Sequence, residues 1–292
     1  MRNTFPGDMM TAQRTVPILS SDHHPETLTM RTDFDRAYVT AHGRVAVLTL
    51  NHPEAMNAAG TKLVKGAAAA LSFIENKDNG FRAMILTGEG RGFCSGANLA
   101  ERGAPGEEPG VGHALEYIYH PFLRRLRDLS IPFVTAVNGA AAGVGMSIAL
   151  MGDLVIAARS AYFLQAFTRI GLVPDGGSTW LLPRLIGLAR AKELSLLAEK
   201  LPAEKALEWG LINRVAGDNE LLDEALKLAN QLADGPSSLA VTRSLYWASP
   251  HNTYEEQLDL ERLSQERAQK TQDFVEGVTA FLQKRPAKFQ GK

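Results

Sequence analysis

The sequence predicts an α/β fold: strand, strand, helix recurs through the first two-thirds, and helices take over after Leu172. Three observations carry this. Short apolar runs punctuated by glycine, such as "RAMILTG" from Arg82, read as buried strands. Apolar residues at helical spacing lie between such runs, as in Leu63, Ala67, Leu71 and Ile74. Near the end, "TYEEQLDLERLSQERAQ" sets leucine on one face and charge on the other. The 292 residues accommodate one large domain with an appendage. The expected division is a disordered arm over 1–33, a core over 34–235 and a C-terminal helical region over 236–292.

The elements follow in order. The arm holds a turn signal at Pro6-Gly7-Asp8, lacks a signal-peptide apolar stretch and shows no periodic pattern. Its His23–His24 pair lacks the spacing of a metal site. "AYVTAHGRVAVLTLN" alternates around His42-Gly43 and reads as a hairpin. A helix from Thr61, the strand from Arg82, a glycine-rich loop and a polar stretch over 102–112 come next. A helix through Tyr117, Phe122 and Leu126 precedes the strand "PFVTAVNG". "AAAGVGMSIALMG" reads as a small-residue helix, Asp153 as ordering the turn after it, and "DLVIAA" and "AYFLQA" as strands. Pro202 opens a helix that Gly210 stops. Asp218 is placed to cap "NELLDEALKLANQLA", and Thr253 and Glu256 have capping-box spacing.

Composition narrows the function. A net charge of −1 gives no global basic field for nucleic acid or an anionic membrane. No apolar run reaches the ~18 residues of a membrane span. The single cysteine, Cys94, excludes an internal disulfide and a CxxC metal site and fits a reducing, cytoplasmic compartment. The dinucleotide fingerprint is never completed, and the P-loop, the serine-hydrolase elbow and HExxH are absent. No metal site is expected.

What stands out is "GRGFCSGANL", from Gly90 to Leu99, and a second glycine-rich turn at Gly143-Val144. Each follows a buried strand and is expected to precede a helix, where free backbone N–H groups project. Two such turns side by side would offer two donors to a developing negative charge. Close helix–strand packing explains the same glycines. Cys94 follows Phe93 in an apolar setting and reads as packing rather than a nucleophile.

Four ordered segments, "NHPEAMNA", "GRGFCSGANL", "AVNGAAAGVGMSIALMGD" and "GLVPDGGSTWLLPRLIG", resemble the crotonase superfamily of enoyl-CoA hydratases and isomerases over about residues 35–292. The stretch from Ala158 to Arg184 is most similar to the branch of the phenylacetate-pathway ring-epoxide isomerase. The resemblance implies a crotonase-like spiral of ββα units and a C-terminal helical trimerisation region. It also implies a homotrimer or hexamer and an acyl-CoA thioester substrate, with no cofactor beyond the coenzyme A that the substrate carries. By position, the N–H groups of Ala97 and Val144 would form an oxyanion hole. The segments that line the CoA arm correspond to Met56, Ser95, Asn98 and Leu99, and a C-terminal phosphate-reaching lysine to Lys284.

Hydratases carry two glutamates; at the matching positions this chain has Ser147 and Phe167, which are expected to border the substrate. Neither supplies a carboxylate. Asp175 in "PDGGS" remains, at the place where an acid shuttles protons in isomerase branches. It could also cap the next helix. Three readings follow: an acyl-CoA isomerase using Asp175, an enoyl-CoA hydratase, and a crotonase-like CoA-binding protein without turnover.

Overall fold

The computed structural model describes residues 15–18, 29–101 and 110–292. The Pro6-Gly7-Asp8 turn, His23–His24 and residues 102–109 of the polar stretch lie outside the described residues.

Among the described residues, twelve strands build two sheets. They are β1 (Thr15–Ile18), β2 (Thr29–Phe34), β3 (Ala37–His42), β4 (Val45–Leu50), β5 (Ala83–Gly88), β6 (Gly92–Cys94), β7 (Phe133–Val137), β8 (Ala140–Ala142), β9 (Leu154–Ala158), β10 (Tyr162–Leu164), β11 (Leu201–Pro202) and β12 (Arg214–Ala216). The large sheet has the order β1-β2-β3-β4-β5-β7-β9-β12, and the small one β11-β10-β8-β6. The large sheet is antiparallel from β1 to β4 and parallel beyond. Every residue of β4 and β7 is buried, as in parallel strands covered on both faces. The repeat is visible in the pairing: β5 then β6, β7 then β8, and β9 then β10 each send one strand to the large sheet and the next to the small one.

The described residues also form ten α-helices: α1 (Thr61–Glu75), α2 (Val111–Ala114), α3 (His120–Arg127), α4 (Val144–Ala149), α5 (Ser178–Leu197), α6 (Ala203–Glu208), α7 (Leu221–Ala233), α8 (Ser238–Ala248), α9 (Tyr254–Ala268) and α10 (Gln272–Leu282). A π-helical turn, Leu115–Tyr119, joins α2 to α3. α1 packs on β3 and β4, and α7 on β5 and β7. The core lies between them and includes Leu48, Leu71, Leu86, Phe93 and Phe133.

Several expectations are corrected. Residues 15–18 and 29–33 are strand rather than disordered arm, because β2 extends the antiparallel meander and pairs Thr32 with Val39. Its polar composition hid it. The segment read as one small-residue helix is split: Ala140–Ala142 pairs with both β6 and β10, and the helix starts at Val144. β11 and β12 are too short to leave a periodic signal. Asp218 does not cap α7; its carboxylate accepts the Ser160 N–H at 2.9 Å. The Thr253–Glu256 capping box is present.

Among the described residues no helix is long and apolar enough to cross a membrane. A cavity of about 740 Å³ lies among the C-terminal helices, against Leu245, Phe274, Val278 and Phe281.

Candidate active site

The two glycine turns are neighbours because their strands are. β6 and β8 run parallel and pair directly, so the bends that follow leave the sheet at the same edge. A methyl group on Gly96 would sit 3.1 Å from the Ala142 carbonyl oxygen; one on Gly143 would sit 3.8 Å from the Gly96 Cα. Both residues hold left-handed φ, +107° and +52°, which glycine adopts without steric cost. Packing therefore accounts for the glycines. The amides beside them are a separate matter.

Ala97 forms a parallel bridge with Ala59. The Ala59 N–H donates to the Gly96 oxygen at 2.7 Å, and the Asn98 N–H donates to the Ala59 oxygen at 3.4 Å. These bonds use the residues flanking Ala97, so its own N–H points to the other side. Val144 opens α4, where a first-turn N–H has no intrahelical acceptor. The preceding Gly143 N–H is already taken by the Leu164 oxygen at 2.9 Å. Among the described residues, no backbone carbonyl accepts from Ala97 or Val144.

One expectation fails at the first turn. It leads into a single 3-10 turn, Leu99–Glu101, rather than an α-helix. Asn98 folds it locally: its Oδ1 accepts the Ala100 N–H at 3.2 Å and its Nδ2 donates to Glu101 at 3.0 Å. Glu101 then accepts the Thr61 N–H at 2.9 Å, capping α1 from outside the helix.

Met56 and Ser95 lie at this turn. The Ser95 N–H donates to the Met56 oxygen at 3.0 Å, and Ser95 Oγ to the Ala55 oxygen at 3.1 Å. Leu99 is exposed. Cys94 is buried, and burial pushes its thiol up to about 11, against the opposing hydrogen bonds at Gly96 and Ala59. A thiol so held is a packing group, not a nucleophile.

The second turn gathers the remaining residues. Ser147, fully buried on α4, donates from Oγ to the Asp175 carbonyl oxygen at 3.1 Å. A methyl group on Gly176 would fall 2.8 Å from Ser147 Cβ and 3.3 Å from Val144 Cγ2. Phe167, buried, places its ring edge 3.7 Å from where a Gly143 Cβ would stand. Asp175 is half-buried, with its Oδ1 atom buried. The N-cap position of α5 is Gly177, with no side-chain cap bond, so Asp175 is not the N-cap residue. Its carbonyl also accepts from Ser178, from the N–H at 3.1 Å and the hydroxyl at 2.9 Å. Behind Gly176 and Gly177 opens a cavity of about 280 Å³, bordered by Met151, Trp180 and Arg124.

Ala97, Val144, Ser147, Phe167 and Asp175 are thus brought together, with Met56, Ser95 and Asn98 around the first turn. Lys284 is not joined to them; it follows α10, where its N–H donates to the Phe281 oxygen. Asp153 does more than order a turn. It accepts the Phe133 N–H and pairs with Arg243 at 2.9 Å.

Two supporting residues lie outside the candidates named from the sequence. The Asn57 side chain, fully buried, accepts the His52 N–H and donates to the Glu89 and Gly92 carbonyls. Tyr119, on the π-helical turn, donates to the Ala59 carbonyl at 2.5 Å, behind the Ala97 bridge. Asn57 has a left-handed φ of 55°, which asparagine tolerates better than most residues, so "MN" after a proline turn was a readable cue.

Comparison with known proteins agrees with this geometry. The family profile "Enoyl-CoA hydratase/isomerase" matches residues 40–292. The chain is 46% identical over 251 residues to the 1,2-epoxyphenylacetyl-CoA isomerase of Escherichia coli, covering 85% of this chain and 95% of that protein. It is 43% identical over 249 residues to a probable enoyl-CoA hydratase of Rhodobacter capsulatus, covering 85% and 95%. The crystal structure of an enoyl-CoA hydratase from Bacillus anthracis superposes with a TM-score of 0.83 at 30% identity, covering 88% of this chain and all of that one. The chain belongs to the enoyl-CoA hydratase/isomerase family, the crotonase superfamily, in the part of it that resembles the epoxyphenylacetyl-CoA isomerase.

Proposed function

We propose that this enzyme isomerises an acyl-CoA thioester by moving a proton. The thioester oxygen sits between the N–H groups of Ala97 and Val144. The Asp175 carboxylate takes a proton from the α carbon, or from the γ carbon of an unsaturated acyl chain. The electron pair of that C–H bond moves into the carbonyl, giving an enolate or dienolate whose oxygen the two amides hold. The carboxylic acid formed at Asp175 returns the proton at another carbon. No group beyond the thioester enters the balance.

One observation carries the reading: two touching bends present amides without backbone acceptors, and the Asp175 loop is packed on the helix that one of them opens. The name of the Escherichia coli relative points to a ring-epoxide CoA thioester as substrate, and a 3-enoyl-CoA fits the same proton path. Met56, Ser95, Asn98 and Leu99 would line the CoA arm, with Phe167 against the acyl group and Ser147 behind it, bonded to the Asp175 carbonyl. Lys284 would reach the CoA phosphates. The exposed apolar C-terminal helices suit a homotrimer or hexamer, and the lone buried thiol suits the cytoplasm.

The second reading is a hydratase, favoured by the name of the Rhodobacter relative. Ser147 and Phe167 oppose it, since neither can activate water as a carboxylate does. Asp175→Asn is the test. Isomerase turnover should fall ~10²–10⁴-fold, the contribution of a positioned acid–base group. Unchanged turnover removes Asp175 from the mechanism, and water addition to crotonyl-CoA at rates above isomerisation selects the hydratase.

A further inference from the structure

We infer that Ser147 is a positioning residue: it holds the Asp175 backbone against the helix that carries the Val144 amide, and so sets the distance between base and oxyanion donor. This rests on the assignment of Asp175 as the proton-transfer group.

α4 is only six residues long and entirely buried. Its first residue, Val144, offers the amide, and its fourth, Ser147, lies three positions on, where side chains share a helix face. That face meets the Asp175–Gly176 peptide at two points. The Ser147 hydroxyl donates to the Asp175 oxygen at 3.1 Å, and Gly176 approaches so closely that a Cβ there would collide with Ser147 Cβ and Oγ, at 2.8 and 2.9 Å. The Asp175 oxygen takes three hydrogen bonds. Two come from Ser178, the first residue of α5 and three positions along the chain; of these three, the Ser147 bond is the one that ties Asp175 to a distant segment. Gly176 and Gly177 both hold left-handed φ, +62° and +81°, so the loop has conformational freedom of its own. A bond from a rigid helix removes that freedom at the residue bearing the carboxylate.

The hydroxyl points to a backbone carbonyl, not to the space between the amides. Ser147 therefore contributes no proton and no charge to the reaction. Its effect passes through the position of Asp175, and misplacement of a reacting group by about 1 Å costs as much as 10²-fold in rate.

The experiment is a double-mutant cycle of Ser147→Ala and Asp175→Asn. It is scored by kcat and KM for isomerisation and by α-proton exchange of a saturated acyl-CoA into deuterated solvent. Ser147→Ala should lower kcat and exchange roughly 10–100-fold while KM stays within about twofold. In the Asp175→Asn background it should have no further effect on exchange. Ser147→Cys keeps the volume with a weaker donor and should fall between wild type and Ser147→Ala. It carries the test should the alanine variant melt early. Wild-type kcat in Ser147→Ala and Ser147→Cys overturns the inference. So does a loss that simply multiplies with that of Asp175→Asn, because Ser147 would then act elsewhere. Wild-type exchange in Asp175→Asn alone overturns the underlying assignment, and that arm is read independently of the serine.

Discussion

The core and the C-terminal helices are built on opposite principles. In the core, apolar residues are inward: β4 and β7 bury every side chain, and α1 buries Leu63, Ala67, Leu71 and Ile74 against them. In α8, α9 and α10 the buried residues are Arg243, Ser264, Asp273 and Ala280, three of them polar. Many of their large apolar side chains face outward; Tyr246 is 75% exposed and Phe281 82%. The core is complete within one chain. The C-terminal region is tied to it by hydrogen bonds and leaves an apolar surface that the described residues do not cover, an arrangement that suits association. Packing fixes the two amides of the site, whereas polar ties anchor the region next to it.

The largest effect should come from cutting such a tie. The Arg243 side chain is buried; it pairs with Asp153 and donates to the carbonyls of Leu126, Arg127 and Leu129 at the end of α3. Asp153 in turn holds the Phe133 N–H at the start of β7. Removing one partner of a buried ion pair leaves the other uncompensated and typically costs about 3–5 kcal/mol. Arg243→Leu should lower the unfolding free energy by that amount in urea titration. A loss under 1 kcal/mol would show that the polar anchor is ornamental and that the C-terminal helices are held some other way.

The core side of the contrast can be sharpened with a substitution that deletes a hydrogen and little else. Val144 is the first residue of α4, a position where proline is well tolerated. Gly143, with φ 52° and ψ −129°, lies in the mirror image of the extended region that precedes proline comfortably. Val144→Pro should therefore keep the melting temperature near wild type while turnover drops ~10²–10³-fold, the usual loss for one oxyanion donor. Wild-type turnover in a folded variant would reduce the glycine turns to a packing device.

Legibility followed the same division. The hairpin, α1, β5, β7 and β9 were readable because buried strands and amphipathic helices leave periodic patterns. β2, β11 and β12 were not: each is short or polar, and pairing with a neighbour rather than its own composition makes it a strand. At the site, the roles proposed for Ala97, Val144 and Asp175 rest on position within motifs, since two of the three would act through backbone amides that no composition reveals. Ser147 stands out in the sequence for what it lacks, a carboxylate. That it reaches the Asp175 carbonyl depends on the crossing of α4 with a loop nearly thirty residues later. Glu101, Asn57 and Tyr119 support the site through contacts of the same long-range kind.

The smallest expected effect on the fold is also the most direct test of the contrast. Phe281 lies on α10 and borders the 740 Å³ cavity with Leu245, Phe274 and Val278. An exposed side chain contributes little to the stability of its own chain; substitutions at such places usually stay within about ±0.5 kcal/mol. Phe281→Glu should leave the unfolding free energy of the isolated chain in that range. If this apolar face is covered by further copies of the chain, the buried carboxylate would have to be desolvated on assembly, at a cost that association cannot absorb. Sedimentation at micromolar concentration should then show a trimer or hexamer for the wild-type chain and a monomer for the variant. Equal masses for the two would mean that the apolar surface of α10 lies outside the contact between subunits, and the outward-facing helices would need a different cover.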